Sequence, residues 1–579
     1  MNSRHIRRIQ ILAILVVMVA ASATALYAQT YTVLYNFGSV RCDPLNPQVS
    51  GIIAQGRDGN LYSSTPGGGC DVNGVAFKIT SKGKLSVVHS FQLNVGGDGI
   101  GPQSGLTLGT DGDFWGTTEG EDFNAGNIFK MTAAGKITNF DNAFGGTNDV
   151  DGFAPFAPPV QGMDGNFYGM TTAGGNRSKC TYGDAGCGVI YKFTPSGKFK
   201  VIWTFDQTNG GNPAGPLVLG TDGNFYGTTE LGGTFGKIFE NAGVVFKVTP
   251  SGKYTVLHAF CSQTNCTDGA NPLGGLGQGA DGNFYGTTEY GGTGTGGLRQ
   301  GVVFKITPTG KFSVLYNFCS VTSCTDGSNP FGGLVQATDG NFYGTTVAGG
   351  ANDLGTIFQI TPKGKHTILH SFENTTGSLF GQEPEVALIQ NTNGILYGDT
   401  YSGGNAGAGY GVFFSFNMNL KPFVSMVAWY GKVGQTIEIL GQGLTGTTAV
   451  SFNGTAATTF TAVSDTYLTA VVPSGTTPGL VTVTTTGGTL TSNRKFMVQP
   501  YIASFNPTSG TVGTQVTIAG TSFTGATKVT FGGVKAVKFA VDSDIQITAT
   551  VPTGAKTGTI QVTTPGGTAT SATDFTVTQ

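Results

Sequence analysis

Three features of this 579-residue sequence predict an all-β chain, built as a seven-bladed β-propeller followed by two β-sandwiches. An Asp-Gly-Asn turn, or a close variant, is followed by an aromatic pair and Gly-Thr-Thr from Asp58, Asp111, Asp164, Asp222, Asp281 and Asp339, with a worn copy from Asn393. The copies recur every 53 to 59 residues, and a fixed period of this length marks a repeat architecture. A strand-like segment, Tyr31 to Phe37, stands ahead of the first full unit. After residue 420 the composition turns to Thr, Val, Gly and Ser, and two longer units follow each other.

The fourth unit shows what each repeat builds. Pro216-Leu-Val-Leu is a short apolar strand, Asp222-Gly223-Asn224 a tight turn, and Phe225-Tyr226-Gly-Thr-Thr a second strand. In the third, Val244, Phe246 and Val248 alternate with Val245, Lys247 and Thr249, the period of two that gives a strand distinct faces. Pro250-Ser-Gly-Lys253 turns the chain into a fourth strand, Tyr254 to Phe260. Four antiparallel strands repeated radially describe a propeller blade. The repeats lie near 51–91, 102–140, 157–205, 214–260, 272–318, 330–372 and 384–417. Glycine in the Asp-Gly and Ser-Gly turns meets the positive φ of two-residue hairpins. The aromatic pairs, with Phe246, Phe304 and Phe358, read as packing between blades, sugar stacking being the alternative. Calcium at the Asp-Gly-Asn turns is disfavoured, because each offers a single carboxylate beside one amide, whereas calcium loops gather several oxygens.

Ring closure is legible as well. The seventh unit runs through Tyr397 and Val412–Phe416, then has Asn417-Met-Asn-Leu in place of the Ser-Gly-Lys turn and lacks a fourth strand. Tyr31-Thr-Val-Leu-Tyr-Asn-Phe37 matches Tyr254 to Phe260 nearly residue for residue. The N-terminal strand is therefore expected to complete the seventh blade and remove both sheet edges. With that strand outermost, chain order runs from axis to rim. The uniform Asp-Gly-Asn and Ser-Gly-Lys turns then share one face, and the variable loops share the other. Variable loops on a rigid scaffold are where binding concentrates.

The amino terminus reads as a secretory signal over residues 1–28: Arg4, Arg7 and Arg8, an apolar run from Ile11 to Ala20, and small residues allowing cleavage after Ala25 or Ala28. The run is shorter than the ~20 residues a spanning helix needs, and no later segment is long and apolar enough to cross a bilayer. The expected location is therefore extracellular or at the cell surface. A charged fraction of 11% and a net charge of −2 exclude nucleic acid and anionic membrane as natural partners. The eight cysteines are even in number and close in sequence: Cys180 with Cys187, Cys261 with Cys266, Cys319 with Cys324, and Cys42 left with Cys70. In an oxidising compartment these are disulfide candidates, on the variable-loop face. A zinc knuckle would need shorter spacing and facing pairs. No cofactor or metal site is expected.

Candidate chemistry is confined to recurring carboxylates. Glu119, Glu230 and Glu289 each follow a Gly-Thr-Thr, and Asp268 and Asp326 recur as Thr-Asp-Gly in the cysteine-flanked loops. Glu230, Glu289, Asp268 or Asp326 would be the catalytic residues of a polysaccharide-degrading enzyme, if paired across a sugar at ~5–10 Å. Repetition at equivalent positions favours turn capping instead, since one active site needs no copies. A carboxylate pair confined to one blade and facing the axis would favour the enzyme; one repeated around the rim would favour a binding scaffold. His89, His258 and His370 precede the last Phe of their strands where Tyr35, Trp203 and Tyr316 stand in other units, so they are expected to pack.

The two carboxy-terminal units align with each other. The second has Gly510-Thr-Val-Gly-Thr-Gln-Val-Thr-Ile-Ala-Gly520, Val529-Thr-Phe-Gly-Gly, Val551-Pro and Gly558-Thr-Ile-Gln-Val. The first has Gly434-Gln-Thr-Ile-Glu-Ile-Leu-Gly441, Val450-Ser-Phe-Asn-Gly, Val472-Pro and Gly479-Leu-Val-Thr-Val. It departs at its start, with Met426-Val-Ala-Trp-Tyr430 against Phe505-Asn-Pro-Thr-Ser509. Short alternating strands at this spacing indicate β-sandwiches. Both units resemble IPT/TIG domains, which implies an immunoglobulin-like fold. The repeats over residues 31–416 resemble the GloVer (Gloeobacter/Verrucomicrobia) tandem repeat of secreted bacterial proteins, through DGN-F-Y-G-T-T, G-x-x-F-K-x-T-P-x-G and L-x-x-F. That family brings no established activity. The expected organisation is a signal at 1–28, a propeller at 29–420 closed by its N-terminal strand, and immunoglobulin-like sandwiches at 421–498 and 499–579. The expected function is that of an exported binding scaffold for a glycan or cell-envelope protein, with no anchoring segment seen before Gln579.

Overall fold

The computed structural model describes residues 29–579, apart from 48–51, 93–98, 120–125, 141–143, 145–148, 181–184, 234–241, 296–299, 374–380 and 405–408. The segment read as a signal lies outside the described residues. The described residues are all-β, and among them no helix is long and apolar enough to cross a membrane. Among the described residues, seven four-stranded antiparallel sheets follow one another between Thr30 and Asn417. In the fourth, Val218–Leu219, Phe225–Thr229, Val244–Val248 and Tyr254–Ala259 pair in chain order. The seventh joins Ile389–Gln390, Leu396–Asp399 and Val412–Asn417 to the N-terminal strand Thr30–Asn36, with Tyr31 opposite Phe416 and Asn36 opposite Val412.

Contacts run from each sheet to the next and from the seventh back to the first. In the first five sheets the tyrosine or tryptophan packs on the phenylalanine of the following sheet. Tyr62–Phe114, Trp115–Phe167, Tyr168–Phe225, Tyr226–Phe284 and Tyr285–Phe342 have ring centroids 3.9–4.2 Å apart. Tyr343 shares a buried cluster with Leu396, and Tyr397 shares one with Leu61, which continues the circuit with aliphatic residues. An outer ladder repeats the arrangement: Trp203 on Tyr254, His258 on Phe312, Tyr316 on His366, and His370 on Tyr31 of the N-terminal strand. The imidazoles therefore pack as aromatics, and burial lowers the pKa of His370 to about 4.

A clasp of glutamines that no sequence motif marks holds the inner strands together. Gln161, Gln278, Gln336 and Gln390 each accept, at 2.8–3.1 Å, a backbone N–H from the turn of the preceding sheet. Gln55 of the first sheet does the same to Thr392 of the seventh, at 3.0 Å, and donates to the Thr392 hydroxyl. Nearer the axis, backbones meet backbones. A Cβ on Gly274 would lie 2.7 Å from the Phe331 carbonyl of the next sheet, and one on Gly332 would lie 3.0 Å from that of Val386. Only glycine permits this approach.

The Asp-Gly-Asn carboxylates are structural hubs. Asp222 accepts from the Asn224 backbone and amide, from the Tyr226 hydroxyl at 2.8 Å and from Lys247 at 2.7 Å. Asp164 and Asp281 repeat the set with Tyr168 and Lys192, and with Tyr285 and Lys305.

The carboxy-terminal units share one topology. Residues 425–498 form a four-stranded sheet ordered Ser425–Met426, Thr436–Leu440, Tyr467–Val471, Phe460–Ala462, beside a five-stranded sheet. Residues 501–577 repeat both strand orders, around a core that includes Val516, Phe531 and Phe575. The first unit packs on the uniform-turn end of the repeat sheets. Arg57 makes a forked ion pair with Glu438 and lies over Tyr467, 4.9 Å from its centroid. Thr466 donates to the Arg57 carbonyl, and Phe423 N–H donates to that of Thr392. The Tyr430 hydroxyl donates to the Gly162 carbonyl at 2.8 Å. The departure of Met426–Tyr430 from the second unit thus has a physical reason: Tyr430 reaches the repeat sheets.

Candidate functional site

Docking of the first carboxy-terminal unit closes one end of the space enclosed by the inner strands. A cavity of about 160 Å³ remains there, with Gln55, Leu108 and Gln390 on the sheet side and Ser425, Val427 and Leu440 on the other. The opposite end lies among the variable loops. All four disulfides are there, pairing Cys42 with Cys70, Cys180 with Cys187, Cys261 with Cys266 and Cys319 with Cys324, as their spacing suggests. Pro44–Leu45 pairs with Gly67–Gly68 beside the first, tying a between-sheet loop to a loop between second and third strands.

The four sequence-predicted carboxylates divide into two kinds. Asp268 and Asp326 are buried clasps. Asp268 accepts from His258 Nε2 at 3.1 Å, the Ser262 hydroxyl at 2.7 Å and the Ser262 and Gln263 backbone. Asp326 accepts from the Tyr316 hydroxyl at 2.6 Å and from Ser320 and Val321 in the same way. Burial alone would raise both carboxyls, but these hydrogen bonds hold them below the usual range. Asp43 repeats the clasp with Tyr35, Ser39 and Val40. The sequence does not reveal this third copy, because no Thr-Asp-Gly marks it.

Glu119, Glu230 and Glu289 lie at the loop-side mouth of the enclosed space. Glu230 N–H donates to the Asn212 carbonyl, and Glu289 N–H to that of Asn271. Asn271 and Asn329 in turn donate to the carbonyls of Glu230 and Glu289 in the preceding sheet. Each asparagine stands just before the loop that leads into an inner strand, so these acids ring the mouth. Glu119 pairs with Gln103. Burial raises the carboxyls of Glu119 and Glu230. In the same loops Phe156, Leu273 and Phe331 are half-buried, offering apolar surface beside the acids.

The seventh sheet, a worn copy of the repeat in sequence, differs from the rest at this mouth. Its Gly-Thr-Thr has become Gly398-Asp399-Thr400; Glu385 stands where other sheets have Leu273 or Phe331, and Glu383 where they have Asn271 or Asn329. Glu383 keeps the left-handed backbone of those asparagines, with φ 55°, and accepts from the Ser402 hydroxyl at 2.8 Å. Asp399 is 1% exposed, and its Oδ1 has no hydrogen-bond partner among the described residues. Burial, then the neighbouring Glu385, raises Asp399 well above the carboxylate range. Burial, then Glu383, lifts Glu385 to about 7. The signal that would have found these residues is an acid at a position that is Ser, Thr or Met in the other units, for Asp399, and at one that is Leu273 or Phe331 in the two preceding sheets, for Glu385. Among the described residues, no three His, Cys, Asp or Glu side chains are grouped to hold a metal ion.

No curated protein matches the sequence. Solved structures resemble parts of it. SGBP-B from a complex xyloglucan utilization locus in Bacteroides uniformis is 20% identical over 26% of this chain, which spans 48% of that protein, with a TM-score of 0.14. A fungal alcohol oxidase of the AA5 family, in complex with copper, is 12% identical over 82% of this chain and 100% of its own, with a TM-score of 0.44. An oligogalacturonate lyase in complex with manganese is 11% identical over 67% of this chain and 96% of its own, with a TM-score of 0.40. At these scores the likenesses carry no functional argument. Residues 500–577 match the IPT/TIG domain. The Gloeobacter/Verrucomicrobia repeat matches residues 22–182, 243–467 and 294–534, more than half of the sequence. The chain belongs to the Gloeobacter/Verrucomicrobia repeat family.

Proposed function

We propose that this chain is an exported, non-enzymatic binding scaffold: a seven-bladed propeller over residues 29–420 and immunoglobulin-like sandwiches at 421–498 and 499–579. Its loop face recognises a glycan, or a protein of the cell envelope. The cyclic aromatic contacts and the pairing of the N-terminal strand with Val412–Asn417 support the propeller reading. Four disulfides suit an oxidising compartment. The observation that carries the functional reading is the docking of the first sandwich on the uniform-turn end, which leaves the disulfide-bearing loop face, with its acids and half-buried phenylalanines, as the open surface. The second reading, a polysaccharide-degrading enzyme, draws support from Glu385 and Asp399, a carboxyl pair confined to the seventh unit.

A glycan-array screen of the mature protein, run beside a reducing-sugar release assay on the same polysaccharides, separates the two. Binding without release is expected. Release that disappears on Glu230→Gln, Glu289→Gln or Glu385→Gln would establish the enzyme instead.

A further inference from the structure

In four other sheets the position of Asp399 holds a hydroxyl that donates to the next sheet's inner loop. Ser64 donates to Pro102, Thr117 to Pro155, Thr228 to Gly274 and Thr287 to Gly332, at 2.7–3.1 Å. An ionised Asp399 cannot donate, and burying a carboxylate without a donor is costly. The same sheet supplies Glu385 and Glu383 alongside, and none of the ion pairs among the described residues reaches any of the three. This corner of the mouth is rich in acceptors and, among the described residues, has no cation paired to it. A metal ion would need a convergent shell that the described residues do not form. An ammonium group brings both the missing charge and three N–H donors. Asp399 is too buried to touch a glycosidic oxygen, so the pair is better suited to hold a charge than to share acid and base roles.

We propose that Glu385, backed by Asp399 as a positioning residue, receives the free amino group of a glycan at the mouth, which makes glucosamine-type oligosaccharides the preferred ligand class. This rests on the loop-face glycan reading above. Glu385 is partly exposed and makes the contact. Asp399 lies behind it and keeps a proton on the pair near neutral pH, a proton the incoming ammonium displaces. Acetylation of the amine removes the charge, and a uronate adds repulsion from Glu119, Glu230 and Glu289.

The test is calorimetric titration at pH 6, in two buffers of different ionisation enthalpy, with a free-amine glucosamine oligosaccharide and its N-acetylated counterpart of equal length. The free-amine form is expected to bind at least ~10-fold tighter, a gap that one retained charge-assisted hydrogen bond can supply, and to release close to one proton. Glu385→Gln should erase that preference, and the near-isosteric Asp399→Asn should reduce the proton release in a protein whose unfolding midpoint is unchanged. Equal affinity of the wild type for both forms, or a preference that survives Glu385→Gln, overturns the amine site while the loop-face reading stands. Failure of either oligosaccharide, and of every array glycan, to bind overturns both.

Discussion

Replacing Asp222 with alanine is expected to cost about 2–4 kcal/mol, most of it from one stranded hydroxyl. The Tyr226 ring is fully buried between sheets, 3.9 Å from Phe284, and its hydroxyl donates to Asp222 at 2.8 Å. Removing the acceptor of a buried donor costs about 1–3 kcal/mol. The Lys247 pair adds up to about 1 kcal/mol, because both partners are a quarter or more exposed. Losing the bonds to Asn224 loosens the turn further. At ~2 cal/mol/K of unfolding entropy per residue over ~390 residues, the midpoint should fall by about 2–5 °C. Near-ultraviolet circular dichroism follows the transition through the buried tyrosines and Trp115. Asp222→Asn separates the contributions: its carbonyl, in the place of Oδ2, can still accept from Tyr226, while the lysine ion pair and the acceptor for Asn224 N–H are lost, so it should fall by about 1–2 °C, less than the alanine variant. A shift below 1 °C for Asp222→Ala, or equal shifts for the two variants, would refute the claim that this carboxylate is a hub for the tyrosine.

Further expectations concern pH, the disulfides and the docked carboxy-terminal unit. Burial opposes ionisation of Asp164, Asp222 and Asp281, but bonds from lysine, asparagine and tyrosine prevail and depress all three, Asp281 to about 2. Their contribution is therefore complete above the unfolded carboxylate value of ~4 and is lost as pH falls toward 2; a pH titration of the unfolding midpoint should show that loss, and a flat profile from 5 to 2 would contradict it. Joint serine substitution of Cys42 and Cys70 should destabilise by about 2–4 kcal/mol, read in urea as earlier loss of the N-terminal strand by hydrogen exchange. Arg57→Ala strands Glu438, which is 16% exposed, and should cost about 1–3 kcal/mol of docking. Limited proteolysis near residue 421 would then speed up several-fold, whereas an unchanged rate would show that Tyr430 and Phe423 suffice.

Much of the scaffold is legible because its determinants are local and copied. Asp-Gly-Asn makes a turn wherever it stands, alternation sets the faces of Val244–Val248, and the likeness of Tyr31–Phe37 to Tyr254–Phe260 reveals the strand exchange before any coordinates. The disulfide pairs are equally local, separated by 5 to 28 residues. The candidate site is less legible. Asp268 and Asp326 read as possible catalysts until their donors, His258 and Tyr316, are seen to fold back on them. Glu385 and Asp399 read as erosion of a repeat, since their meaning lies in what they replace. Short-range pattern is enough to define the unit, its number of copies and the strand that pairs with the last. That Gln55 meets Thr392 across 337 residues, that Tyr430 and Arg57 close one end, and that Asp399 is buried behind Glu385 and Glu383 of its own sheet became visible with the folded chain alone. Those facts depend on burial and on partners distant in the chain, which no local pattern encodes.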